Sequence, residues 1–204
     1  MPVPMLDLRA QYQSIKSDVL SAIENVFETQ GFVGGPNVLG LEKEIAAYVG
    51  SGEALSCASG TDALLLALKA VGAGPGREVI TTTFSFFATA GTIANTGATP
   101  IFVDIDPVTF NMDPAQIEAK INERTCALLP VHLYGQCAEM DTILEIGRKH
   151  GLPVIEDSAQ GLGAQYKGRN ACSMGAAAAI SFYPTKNLGG AGDGGMVMAH
   201  DADI

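Results

Sequence analysis

Lys186, in the run Ser181-Phe182-Tyr183-Pro184-Thr185-Lys186-Asn187-Leu188-Gly189-Gly190, and Asp157, in Glu156-Asp157-Ser158-Ala159-Gln160, are the two residues whose types and settings best suit covalent chemistry. A lysine amine condenses with an aldehyde once desolvation or nearby positive charge lowers its pKa and leaves it nucleophilic near neutral pH. An aspartate at the end of the apolar run Val154-Ile155 is costly to bury unless it is paired. A protonated ring nitrogen would be such a partner. An imine-forming amine and a carboxylate for a pyridinium nitrogen are together what pyridoxal phosphate chemistry asks of a protein.

An arbitrary lysine is a surface residue. Lys186 is set apart by Gly189, Gly190, Gly192, Gly194 and Gly195, a stretch whose backbone must pass close to something. Ser59-Gly60-Thr61-Asp62 is a small-residue turn ahead of a helical pattern. Its free N–H groups and the positive helix end could hold a phosphate, although a serine there also serves as a plain N-cap. Ser181 could add a hydroxyl to such a phosphate site. In Phe84-Ser85-Phe86-Phe87 a ring could lie over a flat heteroaromatic group or simply fill the core. Gln160 could donate to a phenolic oxygen or cap a turn. Gly190, Gly192 and Gly195 satisfy G-x-G-x-x-G, but the match follows no clear strand, opens no helix and lacks the later acidic residue, so a dinucleotide site is not expected.

The elements that must position these residues follow from periodicity. Leu8, Tyr12, Ile15, Val19, Leu20, Ile23, Val26 and Phe27 recur at steps of three and four and predict a helix over 7–30, ended by Gly31. Gly34-Gly35-Pro36 interrupts the chain, and a second helix over 38–49 is closed by Gly50. Extended and helical patterns then alternate: strands over 54–58, 78–82, 99–103, 126–131, 153–156, 176–182 and 196–199, and helices over 61–71, 85–96, 114–122 and 140–150. This alternation, with near-continuous apolar strands, predicts an α/β fold: a mostly parallel sheet with helices on both faces. The candidate residues would then converge at the carboxyl ends of the strands, where open α/β sheets bind ligands.

At 204 residues and 47% hydrophobic content the chain can fill one domain of above-average size. A net charge of −10 argues against a nucleic-acid partner. No apolar run approaches the roughly 20 residues of a membrane span, and Met1 to Asp7 lacks a basic leader followed by an apolar stretch. The expectation is no membrane partner and a cytoplasmic location. Cys57, Cys126, Cys137 and Cys172 form no C-x-x-C pair, and His132, His150 and His200 are dispersed, so no metal site is expected. G-x-S-x-G, the usual hydrolase elbow, is absent.

Six segments in order, Gly31-Phe32-Val33-Gly34-Gly35-Pro36, Ser59-Gly60-Thr61-Asp62-Ala63-Leu64, Thr83-Phe84-Ser85-Phe86-Phe87-Ala88-Thr89-Ala90, Pro130-Val131-His132-Leu133-Tyr134-Gly135, Glu156-Asp157-Ser158-Ala159-Gln160 and Ser181-Phe182-Tyr183-Pro184-Thr185-Lys186, span nearly the whole chain. Together they resemble the DegT/DnrJ/StrS-type sugar-nucleotide aminotransferases, a branch of the fold-type I enzymes that use pyridoxal 5'-phosphate. The resemblance implies that Gly60, Thr61, Asp62 and Ser181 cup the phosphate, Phe86 stacks on the ring, Asp157 keeps the pyridine nitrogen protonated, Gln160 approaches the ring hydroxyl, and Lys186 forms the Schiff base. It implies transfer of an amino group, usually from glutamate, to a nucleotide-linked keto-sugar in amino-sugar and polysaccharide biosynthesis. Family members that dehydrate the sugar carry histidine in place of this lysine, so Lys186 favours amino transfer. Members also continue into a smaller carboxyl-terminal domain and act as homodimers. On the resemblance, residues 1–204 are an N-terminal segment plus the cofactor-binding large domain, truncated at Asp201-Ala202-Asp203-Ile204 before the small domain and doubtful as a catalyst alone. The alternatives are a pyridoxal-phosphate-dependent sugar dehydratase, an aminotransferase for a non-nucleotide substrate, or a non-catalytic regulatory protein of the same fold, since fold alone never fixes function.

Overall fold

The computed structural model describes residues 3–200. The expectation attached to residues 201–204, and the first two residues of the expected leaderless start, lie outside them. The chain divides into two units, Met1–Leu41 and Glu42–Ile204.

In the first unit, α1 (Leu8–Thr29) starts where the Asp7 carboxylate accepts the N–H groups of Arg9 and Ala10 at 3.0 and 3.1 Å. These are orphan donors of the first turn, and an aspartate cap satisfies them. The helix stops one residue earlier than expected, with Gln30 rather than Gly31 in the left-handed conformation (φ 54°). Gln30 tolerates that position because its side-chain amide donates to the carbonyl of Phe27, one of the otherwise unpaired last-turn acceptors. α2 (Pro36–Val49), which runs from the first unit into the second, opens at Pro36, two residues before the expected start. Proline suits the first helical position because its missing N–H has no partner there and its φ is already helical.

The second unit runs β1 (Glu53–Cys57), α3 (Gly60–Ala70), β2 (Glu78–Thr82), α4 (Phe87–Thr96), β3 (Thr99–Val103), β4 (Thr125–Leu129), α5 (Met140–His150), β5 (Ile155–Asp157), β6 (Gln165–Tyr166), β7 (Arg169–Asn170), β8 (Ala177–Ser181) and β9 (Gly195–Ala199). Strands pair in the orders β1-β9-β8-β5 and β3-β2-β4. Parallel bridges between Leu128 and Val154 and between Val131 and Asp157 join the two sets edge to edge. Within these two sets β9 runs antiparallel to its neighbours, β1 and β8. It returns from β8 through a loop without a helix, and a parallel return would need a longer crossover. The expected mostly parallel α/β architecture therefore holds, with one reversed strand.

Both faces of the sheet are buried. Val79, Ala127 and Leu129 pack with Leu64 and Leu68 of α3 and Ile93 of α4. Their neighbours Ile80 and Leu128 point the other way and pack with Ile143 and Ile146 of α5. The strand period of two sends alternate side chains into separate cores, which is why these strands read as unbroken apolar runs.

Three departures bear on the site or on the reading. The helix expected over 114–122 is two 3-10 turns, Pro114–Gln116 and Glu118–Lys120. Ile117 is the one fully buried residue there, with Ile121 partly buried against the same core, so further helical turns gain little packing to stabilise them. α4 starts at Phe87 rather than residue 85, and Phe86 stays extended (φ −68°, ψ 149°). The β6–β7 hairpin, turning on Lys167 and Gly168 with φ of 50° and 80°, had no counterpart in the sequence reading. Its strands are too short to show alternation, and Lys-Gly is not among the usual pairs for this turn.

Candidate active site

A cleft of about 540 Å³ opens at the carboxyl ends of the strands, and Gly60, Thr61, Phe86, Asp157, Gln160, Ser181 and Lys186 all line it. Of the eight candidates, Asp62 alone is not on its wall. Asp62 is occupied in the α3 cap: its N–H goes to Ser59 Oγ at 3.0 Å, and its carboxylate accepts the Ser59 hydroxyl at 2.9 Å. Both its N–H and its carboxylate are thus engaged within that cap.

At the start of α3 three backbones approach closely. Gly195, first residue of β9, pairs with Cys57 of β1 on one side and Ser181 of β8 on the other. A Cβ on Gly195 would lie 2.2 Å from the Ser59 carbonyl oxygen and 2.6 Å from the Gly60 nitrogen, and one on Gly60 would lie 2.6 Å from the Ser181 Cβ. Only glycines let the α3 turn settle onto the ends of β8 and β9. Gly60 and Thr61 are in the first turn of α3, where N–H groups have no carbonyl four residues back and face the positive helix end. Ser181 Oγ accepts the Tyr183 N–H at 3.3 Å, which leaves its own proton available.

Asp157 is the floor of the cleft. Its backbone joins β5 to the residues following β4, with its N–H on the Pro130 carbonyl at 2.9 Å and its carbonyl on the His132 N–H at 3.0 Å. Its carboxylate accepts Thr89 Oγ1 at 2.7 Å on Oδ2 and the Ala159 N–H at 3.2 Å on Oδ1. Burial pushes this carboxyl above the ordinary aspartate range, opposed first by the Thr89 hydrogen bond and then by the Ala159 N–H. A carboxylate so placed favours a cation brought into the cleft.

Glu156, one residue earlier, points to the opposite side. His132 Nε2 is 2.8 Å from Glu156 Oε2, and the N–H groups of Cys172, Met174 and Gly175 donate to the same carboxylate at 3.0, 2.7 and 2.7 Å. His132 Nδ1 accepts the Ala138 N–H at 3.2 Å. The ring proton is therefore on Nε2 and points at Glu156. Burial raises Glu156, but the His132 hydrogen bond and the Gly175 and Met174 N–H groups outweigh it and hold the carboxyl below its usual range.

Gln160 tethers the turn that carries Tyr134. Its Oε1 accepts the Tyr134 N–H at 2.7 Å, so its NH₂ remains the available donor. Tyr134 itself has a left-handed backbone (φ 55°) and is 76% exposed. Lys186 lies half-buried in the loop between β8 and β9. Its N–H bonds the Tyr183 carbonyl at 2.8 Å, Gly190 bonds the Phe182 carbonyl at 2.7 Å, and a Cβ at Gly189 would meet the Pro184 oxygen at 2.3 Å. The glycine run thus folds back on the segment that bears the lysine, as the sequence suggested. Phe86 borders the cleft and is 69% exposed, so it is not a core residue.

Sequence reasoning gave no role to Thr89, His132 or Glu156, although all three stand in quoted motifs. Strand alternation around Asp157 was the one signal that could have separated Glu156 from its neighbour.

A helix N-terminus with free N–H groups, an amine and a buried acid line one cleft of an α/β protein, an arrangement chemically suited to a small molecule with an anionic tail and a cationic centre. Comparison with known proteins narrows the class. The chain belongs to the DegT/DnrJ/EryC1/StrS aminotransferase family, whose model matches residues 13–204. A protein of Geobacillus stearothermophilus named pleiotropic regulatory protein is 53% identical over 204 residues, covering 100% of this chain and 55% of its own. The UDP-2-acetamido-2-deoxy-3-oxo-D-glucuronate aminotransferase of Pseudomonas aeruginosa is 46% identical over 202 residues, covering 99% and 56%. The crystal structure of S. venezuelae DesV in complex with a ketimine intermediate superposes with a TM-score of 0.95 at 44% identity, covering 98% of this chain and 54% of that one. The chain spans about half the length of the curated relatives it matches. Among the described residues no helix is long and apolar enough to cross a membrane.

Proposed function

We propose that these residues form the cofactor-binding part of a pyridoxal-phosphate-dependent aminotransferase that moves an amino group, from a donor such as glutamate, onto a nucleotide-linked keto-sugar. The observation that carries this reading is the buried Asp157 carboxylate on the floor of the cleft that Lys186 also lines. Family membership and an aminotransferase relative acting on a UDP-linked keto-sugar support it.

Pyridoxal phosphate, when bound, supplies an exchangeable aldehyde and an aromatic electron sink. The residues present fit it. Gly60, Thr61 and Ser181 would hold the phosphate through N–H and hydroxyl donors. Phe86 would cover one ring face, and the Gln160 NH₂ would donate to the ring hydroxyl. Asp157 would keep a proton on the ring nitrogen, exchanging the cost of its own burial for an ion pair. Lys186 Nζ would hold the aldehyde carbon and, once displaced by the donor, move the donor's α-proton as a general base. Asp62 enters only through the Ser59 cap.

On the same reading the full-length protein is a cytoplasmic homodimer, which sedimentation and cell fractionation would test. A non-catalytic regulatory role is the second reading, favoured by the name of the Geobacillus relative. The purified full-length protein should be yellow, and borohydride reduction followed by peptide mapping should place the modified lysine at 186. A label on another lysine overturns the site. Amino transfer to keto-sugar nucleotides separates the enzyme from the regulator.

A further inference from the structure

Thr89 lies in the first turn of α4, with 2% of its surface exposed. Its neighbours along the helix spend their hydroxyls locally: Thr92 Oγ1 donates to the Ala88 carbonyl and Thr96 Oγ1 to that of Ile93, each at 2.7 Å. That is the ordinary fate of a helical threonine. Thr89 instead reaches across to β5, placing Oγ1 2.7 Å from Asp157 Oδ2. The same oxygen is 2.7 Å from Ser85 Oγ.

A hydroxyl has one proton to give, and an ionised carboxylate only accepts. With Asp157 ionised, the Thr89 proton points at Oδ2 and Ser85 must donate to Thr89. The two hydroxyl dipoles then align head to tail toward the carboxylate, favour its charged form and polarise one another. The Ala159 N–H fixes the other oxygen at 3.2 Å. Held at both ends, the carboxylate keeps acceptor capacity for a donor in the cleft.

We infer that Thr89, aligned by Ser85, is a positioning residue that holds Asp157 as an oriented anion so that it can keep the ring nitrogen of a bound pyridine cofactor protonated. The inference rests on the cofactor reading given above. It goes beyond that reading by naming two further residues lining the same cleft, Thr89 and Ser85, on which the ring's protonation depends.

The test uses the full-length protein loaded with pyridoxal phosphate labelled with ¹⁵N in the ring. In the wild type the ring nitrogen should show the shift of a protonated pyridine. Thr89→Val, which keeps the shape and removes the hydroxyl, should move that shift toward the neutral value. It should also slow the half-reaction with glutamate about tenfold or more, by removing a hydrogen bond to a charged group. Thr89→Ser should restore the wild-type shift and bring the rate back to within about threefold. A T89V protein that binds the cofactor with an unchanged ¹⁵N shift overturns the inference and leaves the cofactor reading standing. T89S no better than T89V also overturns it. If T89V does not fold, Ser85→Ala takes its place, with a smaller displacement of the shift expected and an unchanged one overturning the relay. A wild type that takes up no pyridoxal phosphate fails earlier and overturns the reading of the site itself.

Discussion

Glu156 and His132 meet at 2.8 Å with both side chains wholly buried, and no acceptor site on the carboxylate is left idle. Through this pair the residues following β4 and the turn before β8 are tied to β5, the strand that presents Asp157. The acid that faces the cleft is thus aimed by the acid beside it, which faces away.

Glu156→Gln follows from that relationship. An amide offers one accepting oxygen and turns a donor toward N–H groups already in place, so two buried donors lose their acceptor. The expected loss is about 3 kcal/mol of folding stability, measured by denaturant titration of the full-length protein. Because the native Glu156 carboxyl is held below its unfolded value, its contribution is complete above the ordinary glutamate range and disappears as pH falls through the native value. The gap between wild type and variant should therefore narrow in acid. A gap that stays constant would contradict the ionised state assigned here.

Asp157→Asn should behave oppositely. Burial raises the native Asp157 carboxyl, so the cofactor-free folded state keeps its proton longer than the unfolded chain. Stability from this group is then greatest below the ordinary aspartate range and declines as pH rises through the raised native value. Thermal melts of cofactor-free wild type and D157N across that range should converge or cross, the variant showing the flatter curve, while D157N loses most amino-transfer activity. Parallel melting curves would show that Asp157 is not strained by burial.

Which parts of this were legible in the sequence follows from the range of the interactions involved. β2, β3 and α5 run over 78–82, 99–103 and 140–150 as read, since their patterns depend only on neighbours in the chain. Asp157 and Lys186 were legible because each stands beside a strong local signal, an apolar strand and a glycine run. Thr89 was not, because it differs from Thr92 and Thr96 only in its partner, an acid 68 residues away on a strand whose place in the sheet no local pattern announces. The 114–122 stretch misled for the reverse reason: its spacing suits a helix, but Ile117 is the one fully buried residue there and Ile121 packs only partly against the same core.

Gly195→Ala tests the proposed phosphate site at the start of α3. The added methyl would lie 2.2 Å from the Ser59 carbonyl oxygen, a backbone atom that cannot turn aside, whereas a Cβ at Gly192 has nothing within 4 Å. G195A should cost about 2–4 kcal/mol and weaken binding of pyridoxal phosphate more than that of pyridoxal, with G192A as the near-neutral control. Equal losses for the two ligands would mean that the close approach shapes the fold but not the phosphate site.

Gln160 joins two functions that substitution can separate. Its Oε1 holds the Tyr134 N–H at 2.7 Å, and its NH₂ is the group offered to the cleft. Gln160→Glu keeps an acceptor for Tyr134 but replaces the donor with a negative oxygen in a cleft that already contains Asp157. Gln160→Ala removes both. Hydrogen exchange at the Tyr134 amide should stay slow in Q160E and quicken about tenfold in Q160A, the loss of one charge-free hydrogen bond. Cofactor affinity should fall in both, and further in Q160E, where a repulsive oxygen replaces a donor to the ring hydroxyl. If Q160E bound pyridoxal phosphate as the wild type does, Gln160 would be a loop tether and nothing more, and its left-handed neighbour Tyr134 would have to owe its backbone strain to another purpose.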